Sequence, residues 1–261
     1  MALAIATNNA ALNAAASASS VNRDMETSMA RLSSGKRINS ASDDAAGVAI
    51  SSRLSAEIRG TDQAIRNSLD GQALIDTAEG AHKEIENILQ RMREVGVQAA
   101  NDTNNDQDRS NLQAEMDAML TEIDRIAGTT TWAGASLMAD DAAATVFSFQ
   151  VGAATGDKNQ ISVSINGMNG DALSLSTGGT SDLFVTDDDA DGTGQDDALA
   201  AVTLIDDAIK TVNIQRSKLG AVSNRLTHTV NNLTNISSNL SAAKGGIEDA
   251  DFALETTNLA K

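Results

Sequence analysis

From Val202 to Ile247, apolar residues recur in alternating steps of three and four. The series is Val202, Ile205, Ile209, Val212, Leu219, Val222, Leu226, Leu233, Ile236, Leu240, Ala243 and Ile247, with only Arg216 and Thr229 as polar interruptions. A stripe repeating every 3.5 residues keeps one helix face against a partner along its whole length. The stretch is therefore predicted to be a single coiled-coil-like helix, about 70 Å long at the standard rise per residue. Leu219, Val222, Leu226, Leu233, Ile236 and Leu240 are its candidate seam. So narrow a stripe makes no core by itself, and the first half of the chain must supply helices of similar length.

It does so in three pieces. Residues 1–33 carry Ala18, Val21, Met25 and Leu32 on a weak 3-4 stripe rich in Ala, Ser and Asn, ordered only when packed against a partner. Turn formers at Ser33–Ser42 interrupt it, and Ser42 with Asp43 and Asp44 supplies a capping hydroxyl and then carboxylates for the next helix. That helix, about 43–100, carries Ile50, Leu54, Ile58, Ile65, Leu69, Ile85, Leu89, Met92 and Val95, and a third follows at about 108–127. The period changes to two at Val146–Val151 and Ile161–Ile165, which read as a hairpin; Leu173 and Leu175 suggest a third short strand. Thr129–Gly134 reads as a loop with Trp132 against a helix flank, and Thr177–Asp197 as an acidic surface loop. The predicted fold is mainly α: a long helical bundle with a small β-hairpin insertion, elongated, with both termini at one end. Exposed stripes at paired termini argue for burial in an assembly.

Composition sharpens this. Aromatics make up 2% of the residues and there is no proline, which fits long, thin, Ala- and Leu-rich packing. The absence of cysteine excludes disulfides, thiolate metal sites and cysteine catalysis. Residues 140–197 carry −10 of the chain's −17 net charge, and no Lys/Arg cluster suits phosphate binding, so nucleic acid is not an expected partner. No stretch is long and apolar enough for a membrane span, and Met1–Asn9 lacks the form of a cleaved secretory signal; alone, these features suggest a cytoplasmic protein.

The motifs revise that last inference. Arg31–Ile50 (RLSSGKRINSASDDAAGVAI), Gln63–Asn67 (QAIRN), Ile88–Glu94 (ILQRMRE), Phe149–Ala153 (FQVGA) and Ile247–Ala253 (IEDADFA) resemble bacterial flagellin over about 1–165 and 198–261. The resemblance implies an extracellular filament subunit for swimming motility, exported by the flagellar type III apparatus, with itself as main partner and an export chaperone and a cap as others. It implies inner-tube helix and spoke at 1–42, helical shell at 43–139 and 198–244, a short hairpin and variable loop at 140–197, and the start of a second inner-tube helix at 245–261. Flagellins continue beyond Lys261 with a further amphipathic segment, so this second inner helix is expected to be incomplete. A hook–filament junction protein, with similar ends, is the rival within the family. Some flagellins carry a zinc protease needing a His-Glu-x-x-His helix; His82 and His228 lie in no such motif, read as solvated helix-face histidines, and leave no enzyme.

Two smaller sites complete the reading. By motif position, Arg91 with Glu115 and Val95 resembles the patch that a toll-like receptor reads on flagellins, a surface expected to serve first in subunit contacts. Asp187, Asp189 and Asp191 stand at positions one, three and five before Gly192, as at the start of a calcium loop. Position twelve is Ala198 rather than Glu, so a solvated acidic loop is the alternative.

Overall fold

The computed structural model describes residues 8–138, 144–177, 180–183, 185 and 194–260. Among these residues five α-helices, a short 3-10 helix at Asp157–Asn159 and three two-stranded ladders occur: α1 (Asn9–Ser34), α2 (Ala45–Ala99), α3 (Asp106–Thr129), β1 (Thr131–Trp132), β2 (Ala135–Ser136), β3 (Thr145–Gln150), β4 (Gln160–Ile165), β5 (Ser176–Thr177), β6 (Thr180–Ser181), α4 (Gly194–Glu248) and α5 (Phe252–Ala260). The chain forms two compact units, one of Met1–Asp62 with Leu233–Lys261, the other of Gln63–Asn232. Both chain ends fall in the first.

The second unit holds the core. Here α2 and α4 run antiparallel, with Arg93 Nε donating to Asp206 Oδ1 at 2.6 Å and Gln72 Nε2 to Thr227 Oγ1 at 2.7 Å. Twenty-one residues separate the two contacts on each helix, which is three heptads. The α4 face buried in this unit is Ala198, Ala201, Ile205, Ala208, Val212, Gln215, Leu219 and Leu226. The series 205, 212, 219 and 226 keeps the seven-residue repeat that the sequence shows. Its alternate members are one residue earlier than the sequence pattern suggests: Ala201, Ala208 and Gln215 are buried, while Val202, Ile209 and Arg216 stay half-buried. Several elements share this core, so α4 buries a stripe wider than a two-helix seam, and small alanines sit where packing is tightest.

Gln215 explains the polar interruption. Its Nε2 donates to the Ser164 carbonyl at 2.7 Å, whereas Arg216 reaches Glu86 and Glu79 on α2. The contact with the hairpin thus belongs to Gln215, the neighbour of Arg216. The Thr229 hydroxyl merely donates to the Arg225 carbonyl one turn back at 2.9 Å.

The hairpin β3–β4 pairs Phe149 with Ile161 and Phe147 with Val163, placing Ile161, Val163 and Ile165 inward. Asn67 on α2 donates to the Gln150 carbonyl at 3.0 Å, so both long helices hold the hairpin. Gly71 lies under it: a Cβ there would sit 3.2 Å from the Phe149 ring. Asn105 starts α3 with a reciprocal capping box to Asp108. Arg109, almost buried, donates to the Ala99 carbonyl at 3.3 Å and satisfies the end of α2. Thr131–Ser136 is a miniature hairpin rather than a loop, turning on Ala133 and Gly134 at positive φ. Leu173 and Leu175 are buried, but the strand pairing expected of them falls just beyond, at Ser176–Thr177.

His82 corrects the reading of a solvated residue. It is fully buried, with Nδ1 at 2.6 Å from the Ala78 carbonyl and Nε2 without a hydrogen-bond partner. Desolvation pushes its pKa down from the ordinary 6.5, more than the Ala78 carbonyl raises it. His228 is exposed.

Candidate assembly surface

The first unit is built differently. Among the described residues, Ile38 and Leu233 are its only buried large apolar side chains; the hydrophobic core cluster lies wholly in the second unit. Polar contacts hold the unit together instead. Helix α1 begins at Asn8, whose side chain accepts the Ala11 N–H at 3.2 Å, and ends at Gly35, which turns the chain at φ 70. The segment after it pairs with the turn between α4 and α5: Arg37 N–H donates to the Glu248 carbonyl at 2.7 Å and Ala250 N–H to the Gly35 carbonyl at 3.0 Å.

Glu248 ties this junction. Its carboxylate meets Lys36 Nζ at 2.5 Å, accepts from the Ser51 hydroxyl at 3.0 Å and lies 3.6 Å from Lys244 Nζ. The Lys36 hydrogen bond leads the effects that hold its pKa below the ordinary range. Nearby, Asp43 accepts the Ser40 and Asn39 backbone N–H groups at 2.9 and 3.0 Å, and these lower its pKa in that order. The cap of α2 is Asp44, not Ser42: its carboxylate accepts the Gly47 N–H at 2.8 Å. Gly47 admits no side chain without displacement, because a Cβ would lie 2.5 Å from Ile38 Cδ1. Helix α5 packs on α1 through Arg31 Nη1 and Glu255 Oε1 at 2.9 Å, and Glu255 is 4% exposed.

Several large apolar side chains remain uncovered. Val21, Met25 and Met29 form an exposed row at i, i+4 and i+8 on α1, with Leu12 on another face and Phe252 and Leu254 exposed on α5. Ile50 and Ile236 add exposed apolar area. A unit with so little core and so much uncovered apolar surface is suited to being completed by other chains.

The other sequence-derived sites fall as follows. Leu219 and Leu226 are buried and Val222 is half-buried in the second unit; Leu233 is buried, Leu240 half-buried and Ile236 exposed in the first. Arg91 is exposed, donating to Glu94 at 2.9 Å and Glu115 at 3.0 Å, and both carboxylates raise its pKa. Val95 is not beside them on the surface: it is 1% exposed, in the core. It lies one helical turn beyond Arg91, but a three-residue offset from Met92 turns it inward with that residue. Asp187, Asp189 and Asp191 lie outside the described residues; among the described ones, no cluster of three His, Cys, Asp or Glu could hold a metal. Nor is any described helix long and apolar enough to cross a membrane.

Sequence reasoning missed Lys36, Glu248 and Glu255 as a set. Two were within the quoted motifs, but their pairing joins residues about 210 apart and left no periodic signal.

Comparison with known proteins identifies two family models along the chain: the bacterial flagellin N-terminal helical region matches residues 5–143 and the C-terminal helical region residues 202–261. A flagellin of Halalkalibacterium halodurans is 44% identical over 88% of this chain and 79% of its own length. A Bacillus subtilis flagellin is 42% identical over 97% and 90% respectively. Among solved structures, Bacillus cereus flagellin is 29% identical with a TM-score of 0.50, covering 69% of this chain and 94% of that one. A protein described as a putative flagellar hook-associated protein from Vibrio parahaemolyticus is 20% identical with a TM-score of 0.65, covering 79% and 100%, a likeness of fold.

Proposed function

The chain belongs to the bacterial flagellin family, and from that premise we propose that its first unit is the part other copies complete on assembly. The protein is a structural subunit of the extracellular flagellar filament, polymerises with itself and is not an enzyme. Its mode of assembly rests on one observation: among its described residues the first unit buries two large apolar side chains and leaves Val21, Met25, Met29, Phe252 and Leu254 uncovered. Burying the remaining half of each contributes roughly 1 kcal/mol apiece, repeated at every copy along the filament. Residues 1–42 are read as inner-tube helix and spoke, 245–261 as the start of a second inner-tube helix, 43–139 and 198–244 as the surrounding shell, and 140–197 as the short hairpin and variable surface loop. An export chaperone that shields the uncovered ends before assembly and a cap that guides their docking fit the same surface.

Brief proteolysis of monomer and filament tests this. Residues 8–44 and 249–260 should be cut first in the monomer, leaving a resistant middle that contains 63–232, and be protected in the filament. Equal resistance of those ends in the monomer would overturn it.

A second reading concerns the exposed Arg91, bridged to Glu94 and Glu115. We propose it as the contact for a toll-like receptor, Val95 acting only from inside by packing the helix. Receptor activation unchanged by Arg91→Ala would remove that reading.

A further inference from the structure

Seven of the eight methionines lie among the described residues, and their environments divide sharply. Met92, Met116, Met138 and Met168 are fully buried and Met119 is half-buried. Only Met25 and Met29 are well exposed, at 46% and 57%. They are four residues apart on α1, so both thioethers lie in the row that begins with Val21.

We propose that Met25 and Met29 are oxidation sites through which peroxide decides whether a free subunit can assemble. The second half of this rests on the reading of α1 as an assembly face. The chemistry needs a peroxide-class oxidant and no protein catalyst. The thioether sulfur attacks one oxygen of hydrogen peroxide, forming an S–O bond as the O–O bond breaks. The departing hydroxide takes the proton from the oxygen now on sulfur and leaves as water. Each sulfur gives up two electrons and the peroxide is reduced by two.

Selectivity follows from access. The oxidant must reach the sulfur, and closed packing denies it this at the four buried methionines, whereas α1 offers two sulfurs to solvent. The product changes the face. A sulfoxide places a strong hydrogen-bond acceptor where an apolar side chain stood, and covering that oxygen without a donor is unfavourable. Two such groups one turn apart polarise two of the row's three positions. Oxidised subunits are thereby excluded from growing filaments, while subunits already assembled are shielded. Helix α1 itself survives the change, since both side chains are already solvent-exposed and neither belongs to the Arg31–Glu255 ion pair that ties α1 to α5. The lesion is reversible, because methionine sulfoxide reductases act on each of the two sulfoxide epimers.

The test treats purified full chain, as monomer and as filament, with graded hydrogen peroxide and maps each methionine by peptide mass spectrometry. In the monomer, Met25 and Met29 should oxidise roughly tenfold or more faster than Met92, Met116, Met138 and Met168. Seeded filament growth of the oxidised monomer should then require a roughly ten- to hundredfold higher concentration. Reductase treatment should restore it, and a Met25→Leu, Met29→Leu variant should grow alike before and after peroxide. Uniform oxidation of all seven methionines overturns the site assignment. Equal growth of oxidised and untreated chain, equal failure of both, or equal peroxide sensitivity of the double variant overturns the effect on assembly. If Met25 and Met29 oxidise as fast in filaments as in monomers, the assembly-face reading of α1 fails, and with it the shielding, while the selective chemistry in the monomer stands.

Discussion

Arg31→Leu, Glu255→Leu and the double variant separate the cost of breaking the α1–α5 ion pair from its net worth. The Glu255 side chain is 6% exposed and its Oε2 has no hydrogen-bond partner; Arg31 is 28% exposed and its Nε is likewise unpartnered. Removing one member of a fully buried pair costs about 3–5 kcal/mol, mostly from stranding the other charge. Water reaching the arginine end reduces this here, to about 2 kcal/mol for Arg31→Leu, which leaves the carboxylate buried. Glu255→Leu strands only the guanidinium, whose long stem can turn its head toward solvent, so about 1 kcal/mol is expected. The nine residues of α5 are too few to stay helical alone, so the loss appears as local opening of α5 and not as global unfolding. Hydrogen exchange of the 252–260 amides in the monomer should therefore speed up roughly thirtyfold in Arg31→Leu and about fivefold in Glu255→Leu. The double variant replaces the pair by two apolar side chains of similar volume and should return to within about 0.5 kcal/mol of the unmodified chain. If its exchange rates instead show the sum of the two single losses, the pair is a net source of stability and the reasoning fails.

Stability should also depend on pH through His82. Its folded pKa is depressed by burial, so the unfolded chain takes up the proton first, and the stability present above the ordinary 6.5 is lost as pH falls through it. Urea midpoints at about pH 7 and 5.5 should differ for the natural chain and coincide for His82→Leu, with equal shifts in both refuting the assignment. Asp43 and Glu248, also depressed, act lower, below their ordinary 3.8 and 4.5. Two helix glycines should respond oppositely: Gly80→Ala meets nothing within 4 Å and should raise stability by about 0.5–1 kcal/mol, whereas Gly71→Leu would drive into Phe149 and Leu226 and lower it by about 1–3 kcal/mol, both read by thermal melting. Asp44→Ala removes the acceptor for Gly47 N–H and should cost about 1 kcal/mol, visible as faster amide exchange at the start of α2.

The order of elements was legible in the sequence because long helices and an alternating hairpin each impress a period on the chain. The seven-residue series Ile205, Val212, Leu219 and Leu226 reads directly, and so does the β3–β4 hairpin with its Phe149–Val151 motif. The turn at Gly35 and the polar run before α3 also mark themselves by composition. Periodicity reports which side of a helix is apolar, but not how wide a stripe the surrounding elements cover. For that reason the choice of Ala201, Ala208 and Gln215 over Val202, Ile209 and Arg216 was made by the packing of α2 and the hairpin against α4. The same holds for Val95 and His82, both turned into a core that only the assembled second unit creates. The junction of Lys36, Ser51 and Glu248 and the Arg31–Glu255 pair are decided wholly in three dimensions. Single charged residues carry no period, and their meaning depends on partners that lie nearly the whole chain away.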